Sequence, residues 1–284
     1  MSGDRPSVSL ELDSSPETLT LVRGVLGGLA EGLALDPELL DDIKTAVSEA
    51  CNNVVMHAYA GDSGPLQVAL YVGDEEIEVV VRDRGQGIHV LTPSDDRLQG
   101  VGIPIMRALA EKTAFRPLPN GGTEVWMQFA GLRAGEVLYQ QPGEAAADDG
   151  WSHRLSGDAV VSLSPVGFVG GVLGRLARAL AARARFSLDR FSDVYLVTDA
   201  LAAHAVSAAS APRIAFGIQT EPRQLEVTLG PLRAGASAQL TGESSSEVTS
   251  ALQLLADELE VRTENGHEAV RLVMRDQRDR DPAA

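Results

Sequence analysis

The sequence predicts an α+β protein made of two tandem domains, and three observations carry that prediction. Runs of strand length, alternating or continuously apolar, are interleaved with longer segments whose apolar residues recur at helical spacing. In the first part of the chain these segments read β-α-α-β-β-α-β-β, and the second part begins the same order again. Letters repeat along with the order. VSEACNN (47–53) lies over VTDALAA (197–203), Glu78 over Glu226, RALAEK (107–112) over QLLADE (253–258), and Gly122 over Gly266. Four blocks in register over so long a period suggest a duplication.

Each element has its own signal. SVSLELD (7–13) alternates like a half-buried strand. Ser15 and Pro16 open a helix over 19–33. A second helix is expected from Asp36 to Ala58, with Asp36 as its cap and Pro37 at its first position. Strands at 66–72 and 76–83 follow, then a Gly/Pro/Asp-containing loop over 84–102, a helix over 103–112, and strands at 114–118 and 123–129. The second set comprises strands at 159–164, 214–220 and 224–230, helices at 169–184, 192–209 and 246–259, and a terminal hairpin over 261–274. The domain boundaries expected are 1–130, a linker over 131–156, a second domain over 157–276, and a tail over 277–284.

Composition excludes several functions. A net charge of −16 without a Lys/Arg block argues against nucleic acid, whose phosphates need clustered cations. No apolar run reaches the ~20 residues of a membrane span, and the N-terminus lacks the pattern of a secretory signal. One cysteine, Cys51, permits no internal disulfide. A cytoplasmic protein is expected.

Chemistry concentrates in the first domain. Glu49, Asn53 and His57 recur every four residues and share one face of the second helix. A solvated stripe would look the same. Asp83 closes an apolar strand, where an acid is costly unless it is paired or recognises something. Gly85 and Gly87 follow it and allow close backbone approach. Gly100 and Gly102 lead into a helix with Pro104 in its first turn, an arrangement that presents backbone N–H groups to an anion. Gly121, Gly122 and Thr123 begin the last strand. Each of these segments, alone, reads equally well as an ordinary turn.

Together, in this order and on these elements, they resemble the GHKL (Bergerat-fold, histidine-kinase-like) ATPases. The Glu-x-x-x-Asn-x-x-x-His helix followed by Tyr59 looks specifically like the anti-sigma factor serine/threonine kinases of the RsbW type. The resemblance implies two α/β sandwiches, each a mixed, mostly antiparallel sheet with helices on one face. It implies ATP and Mg²⁺ as ligands. Glu49 would act as the catalytic base, Asn53 would hold the metal, and Asp83 would take the adenine amine. Gly85 and Gly87 would pass the base, Gly100 and Gly102 would bend over the phosphates, and Thr123 would support the pocket. Arg97, the one cation of the acidic loop HVLTPSDDRLQ (89–99), would be a phosphate contact, and His57 a supporting residue.

In the second domain Glu49 corresponds to Asp199, Asn53 to Ala203 and Asp83 to Pro231, so a degenerate copy without a nucleotide site is expected. Two fused copies would make an intramolecular pseudo-dimer, monomeric as a chain. The implied activity is that of an anti-sigma factor and serine-protein kinase. It would bind a sigma factor and phosphorylate a serine of a STAS-type anti-anti-sigma protein. The alternative is an ATP-dependent binding module with no phosphotransfer.

Overall fold

The structure, a computed structural model, describes residues 5–33, 35–73, 75–86, 101–130, 151–241 and 247–276. The chain divides into two compact units, Met1–Gln141 and Pro142–Ala284.

The first unit holds β1 (Val8–Asp13), α1 (Thr18–Leu33), α2 (Pro37–Asn53), β2 (Pro65–Val72), β3 (Glu76–Asp83), α3 (Gly102–Leu109), β4 (Lys112–Pro117) and β5 (Thr123–Ala130). Its strands are ordered β4-β5-β3-β2-β1, each antiparallel to its neighbour. Alternation in β1 buries Val8, Leu10 and Leu12 and leaves Glu11 and Asp13 exposed. Helix α1 packs on β1, and α2 packs on β3 and β5 and against α1 and α3. The α1 stripe Leu21, Val22, Val25, Leu26, Leu29 and Leu33 is fully buried; each such side chain stabilises the unit by about 1.5–3 kcal/mol. Helix α2 starts as its sequence requires, with the Asp36 carboxylate accepting from Glu38 N–H at 2.9 Å and Pro37 at the first position.

The second unit holds β6 (Ala159–Leu163), α4 (Val169–Arg183), α5 (Leu188–Ala208), β7 (Ile214–Glu221), β8 (Gln224–Arg233), α6 (Ala238–Thr241), α7 (Glu247–Leu255), β9 (Glu258–Glu264) and β10 (His267–Arg275). Its own strand order is β6-β7-β8-β10-β9, again antiparallel throughout. Read from the opposite end, β9-β10-β8-β7-β6 repeats β4-β5-β3-β2-β1 strand for strand. Details repeat as well. Trp126 donates its indole N–H to Glu78 at 3.0 Å, and at the matching diagonal Arg271 clamps Glu226 at 2.6 and 2.9 Å. The linker stretch is described only from residue 151, and there Trp151 is buried with Ala215 and Ala269.

Several element boundaries differ from expectation, α5 starting at Leu188 rather than 192 and β8 running to Arg233 rather than 230, and three more concern helix ends. The second helix leaves α geometry at Asn53 and continues as one π-helical turn, Val54–Ala58. The third helix ends at Leu109 and β4 begins at Lys112, because Glu111 N–H is taken by Gln128 C=O of the neighbouring strand. The same happens in the second unit. Helix α7 ends at Leu255, and Asp257 N–H goes to Val273 C=O as β9 begins.

Candidate functional site

In the first unit the residues singled out in the sequence converge on two spots. At one, Glu49 and Asn53 sit a turn apart and half-buried. Gly102, the first residue of α3, faces both. A Cβ there would come within 2.9 Å of Glu49 Oε2 and 3.6 Å of Asn53 Oδ1. A carboxylate and an amide oxygen therefore stand at a helix N-terminus, with space kept open by a missing side chain.

At the other spot, Asp83 ends β3 with 4% of its surface exposed. Its carboxylate accepts from Gly85 N–H at 2.8 Å, and from both the amide and the hydroxyl of Thr123. Burial pushes its pKa above the ordinary value of 3.8, and those three donors pull it back. An ionised carboxylate has about four lone-pair positions; three donors leave one for a ligand N–H. The backbone closes around this acid. Gly122, at φ +90°, approaches so closely that a Cβ would lie 2.1 Å from Asp83 C=O. Gly85 lies equally close to Ala58 C=O.

Of the residues singled out in the sequence, Asp83, Gly85 and Thr123 come together at the strand exit, and Glu49, Asn53 and Gly102 meet between α2 and α3. Gly87, Arg97 and Gly100 lie outside the described residues. His57 is exposed on the π turn. Sequence reasoning gave that turn only His57, as a supporting residue, and no role to its backbone. It puts Ala58 C=O against Gly85 and lets it accept from Gln86 N–H at 2.9 Å. Short π segments often mark functional sites, but nothing in VVMHA (54–58) announces the change from α to π geometry.

Among the described residues, no cluster of three or more His, Cys, Asp or Glu could hold a metal unaided. One amide oxygen beside one carboxylate instead suits Mg²⁺, which keeps most of its shell for water and phosphate oxygens. The glycine-lined approach and the buried acid suit a purine. This is the chemistry of an ATP-binding α/β sandwich.

The comparisons agree. The family model for the histidine kinase-like ATPase domain matches residues 12–129, within the first unit. Serine-protein kinase RsbW of Bacillus velezensis is 31% identical over 134 residues, 42% of this chain and 82% of that protein. Anti-sigma F factor of Caldanaerobacter subterraneus is 29% identical over 129 residues, 42% of this chain and 90% of that protein. Among solved structures, the RsbU and RsbW domains of Rv1364c from Mycobacterium tuberculosis align at 27% identity over 43% of this chain and 32% of that one, with a TM-score of 0.33. The chain belongs to the histidine kinase-like ATPase family, among the serine-protein kinases of the RsbW type. No helix of the described residues is long and apolar enough to cross a membrane.

Proposed function

We propose that the first unit binds ATP with Mg²⁺ and transfers its γ-phosphoryl group to a serine of a STAS-type anti-anti-sigma protein, and that the chain also holds a sigma factor. One observation carries this reading: Gly102 packs its backbone onto Glu49 and Asn53 while Asp83 waits with one open acceptor position. Asp83 accepts the adenine amine. Asn53 would hold the metal, whose chemistry when bound would be to neutralise phosphate charge. Glu49 orients the serine hydroxyl and accepts its proton as the oxygen bonds the γ-phosphorus and ADP leaves. Gly87, Gly100 and Arg97 lie outside the described residues, and their assignment to the base and the phosphates rests on the sequence resemblance alone. Thr123 keeps Asp83 aimed.

The second unit, by this reading, is a descendant of the same fold that no longer binds nucleotide. Asp199 and Ala203 stand exposed where Glu49 and Asn53 would be.

Titration calorimetry of the intact chain with ATP and Mg²⁺, beside Asp83→Asn, tests the reading. One site per chain, lost in the variant, supports it. Two sites overturn the account of the second unit, and none overturns the whole. Phosphate transfer to a STAS protein, abolished in Glu49→Ala with ATP binding kept, tests the kinase step. The acidic loop with Asp95 and Asp96 beside the single Arg97 favours a second reading, in which nucleotide only tunes partner affinity. Binding without transfer would select it.

A further inference from the structure

We propose that Tyr59 is a positioning residue for base recognition: its hydroxyl holds the Asp83–Gly85 strand exit in the geometry that reads the adenine amine. The inference rests on the assignment of Asp83 to adenine given above.

The geometry is specific. Tyr59 follows the π turn at the end of the helix that carries Glu49 and Asn53. Its hydroxyl donates to Pro65 C=O at 2.5 Å, at the start of β2, and accepts from Arg84 N–H at 2.8 Å. Arg84 is the residue between Asp83 and Gly85, just past the last residue of β3, so its amide has left the strand. The two neighbouring amides are fastened as well. Gly85 N–H goes to Asp83 Oδ1 and Gln86 N–H to Ala58 C=O. Three consecutive N–H groups are thus directed to Tyr59, to Asp83 and to Ala58, which bends the chain sharply behind the acid. Two of the three acceptors come from the two residues 58 and 59.

The ring is held as deliberately as the hydroxyl. It lies on Gly64, where a Cβ would fall 2.3 Å from the ring edge. Any side chain at 64 would push the ring out and the hydroxyl with it. A tyrosine needed only to fill space would require neither a glycine beneath it nor a hydroxyl bonded on both sides. Loss of that hydroxyl frees Arg84 N–H to water and lets the exit pivot, while Asp83 keeps its Thr123 donors. The carboxylate survives but its aim is lost.

The test compares ATP with purine riboside 5′-triphosphate, which lacks the 6-amino group, on the intact chain. Tyr59→Phe keeps the ring and removes only the hydroxyl. Expected is a loss of ATP affinity of about fivefold to tenfold, with the analogue changed less than twofold and kcat at saturating ATP unchanged. Gly64→Ala, which displaces the ring, should produce the same loss of discrimination. Tyr59→Phe added to Asp83→Asn should cost nothing further. Equal weakening of both nucleotides, or a fall in kcat, would mean a general structural role and overturn the inference. Retained discrimination in Tyr59→Phe, with Asp83→Asn still defective, overturns this inference alone. If Asp83→Asn binds ATP as well as the unaltered chain, the adenine assignment fails and takes this inference with it.

Discussion

The two units close their last hairpins differently, and the difference falls where the nucleotide site is proposed in the first. In the second unit β9 and β10 are joined by the two residues Asn265 and Gly266, both at positive φ, with His267 paired to Glu264. This is the shortest turn compatible with a twisted hairpin, and a Cβ on Gly266 would meet nothing within 4 Å. In the first unit Pro117 pairs with Thr123 across five residues, ending in Gly121 and Gly122. Those glycines do more than turn. They carry the backbone onto Asp83 and Gly85, so that Gly122 touches Asp83 C=O. The fold needs the first kind of turn. The second kind brings the backbone onto Asp83.

The acid tells the same story from the other side. In the first unit the carboxylate lies on β3 and is fed by donors from the loop after it and from β5. In the second unit a bulge shifts the register of β8 against β10 between Glu268 and Val270, and Glu268 pairs with Leu232. The buried carboxylate there is Glu268, on the other strand. It accepts from Gly235 N–H at 2.5 Å and Ser237 N–H at 2.8 Å, both in the loop after β8. The acid there anchors the protein's own loop, where Asp83 is the acceptor proposed for adenine.

The largest expected effect separates the units by chemistry. Glu49→Ala should lower phosphotransfer by about 10²–10⁴-fold, the range for losing a general base. Asp199→Ala at the matching position should change the rate by less than twofold. Initial rates of phosphate transfer from ATP to a STAS protein measure both. Equal effects would erase the functional difference between the units.

Next in size is the backbone. Gly122→Ala forces a residue at φ +90° and drives a Cβ to 2.1 Å from Asp83 C=O. Strain of about 1–2 kcal/mol and overpacking of about 1–3 kcal/mol should add. Gly266→Ala, at φ +81° in open space, carries only the strain. Calorimetric unfolding of the two variants should show the first markedly less stable than the second, and only the first should also weaken ATP binding.

Much of this was legible in the letters. Alternation and helical periodicity located the major elements, because each sheet must bury one face and each helix one stripe. The order and repeat of the strands followed. The changes from helix to strand were not legible. RALAEK (107–112) and QLLADE (253–258) continue in helix-forming residues, and what ends each helix is a carbonyl on a neighbouring strand, Gln128 or Val273, that claims the next amide. A contact so distant in sequence leaves no local mark. The site divides in the same way. Asp83, Gly85 and Thr123 were visible because an acid and glycines at a strand exit are unusual in type. Tyr59 and Ala58 act through a hydroxyl and a carbonyl whose partners, Arg84 and Gln86, are set by tertiary structure.

A third test uses acid. Asp83 has its pKa raised by burial, so its charged form is disfavoured in the folded, unliganded chain. Stability from this group is fully present below its ordinary pKa of 3.8 and is lost as pH rises through the raised folded value. Adenine recognition requires the ionised acceptor, so ATP affinity should move the opposite way. On acidification it should begin to fall at a pH above 3.8. Taking the affinity ratio to Asp83→Asn at each pH removes the titration of the nucleotide itself. A ratio flat with pH would place the acceptor elsewhere.

The smallest effect belongs to the second unit. His204 is buried, with Nε2 3.1 Å from Ser237 Oγ, and Ser237 N–H in turn bonds Glu268. Burial lowers its pKa from 6.5, while the nearby Glu268 charge opposes that shift. As pH falls through 6.5 the unfolded chain takes up a proton that the folded unit resists, so this stability is present above 6.5 and lost as pH drops through the lowered folded value. The slope cannot exceed about 1.4 kcal/mol per pH unit for one group. Calorimetry between pH 7 and pH 5 should therefore show the second unit's transition moving down in temperature, with the shift suppressed in His204→Gln. The first unit has Val54 at the matching place and, among its described residues, no such buried imidazole. If both transitions moved together, with His204→Gln without effect, the Glu268 loop anchor would not distinguish the units.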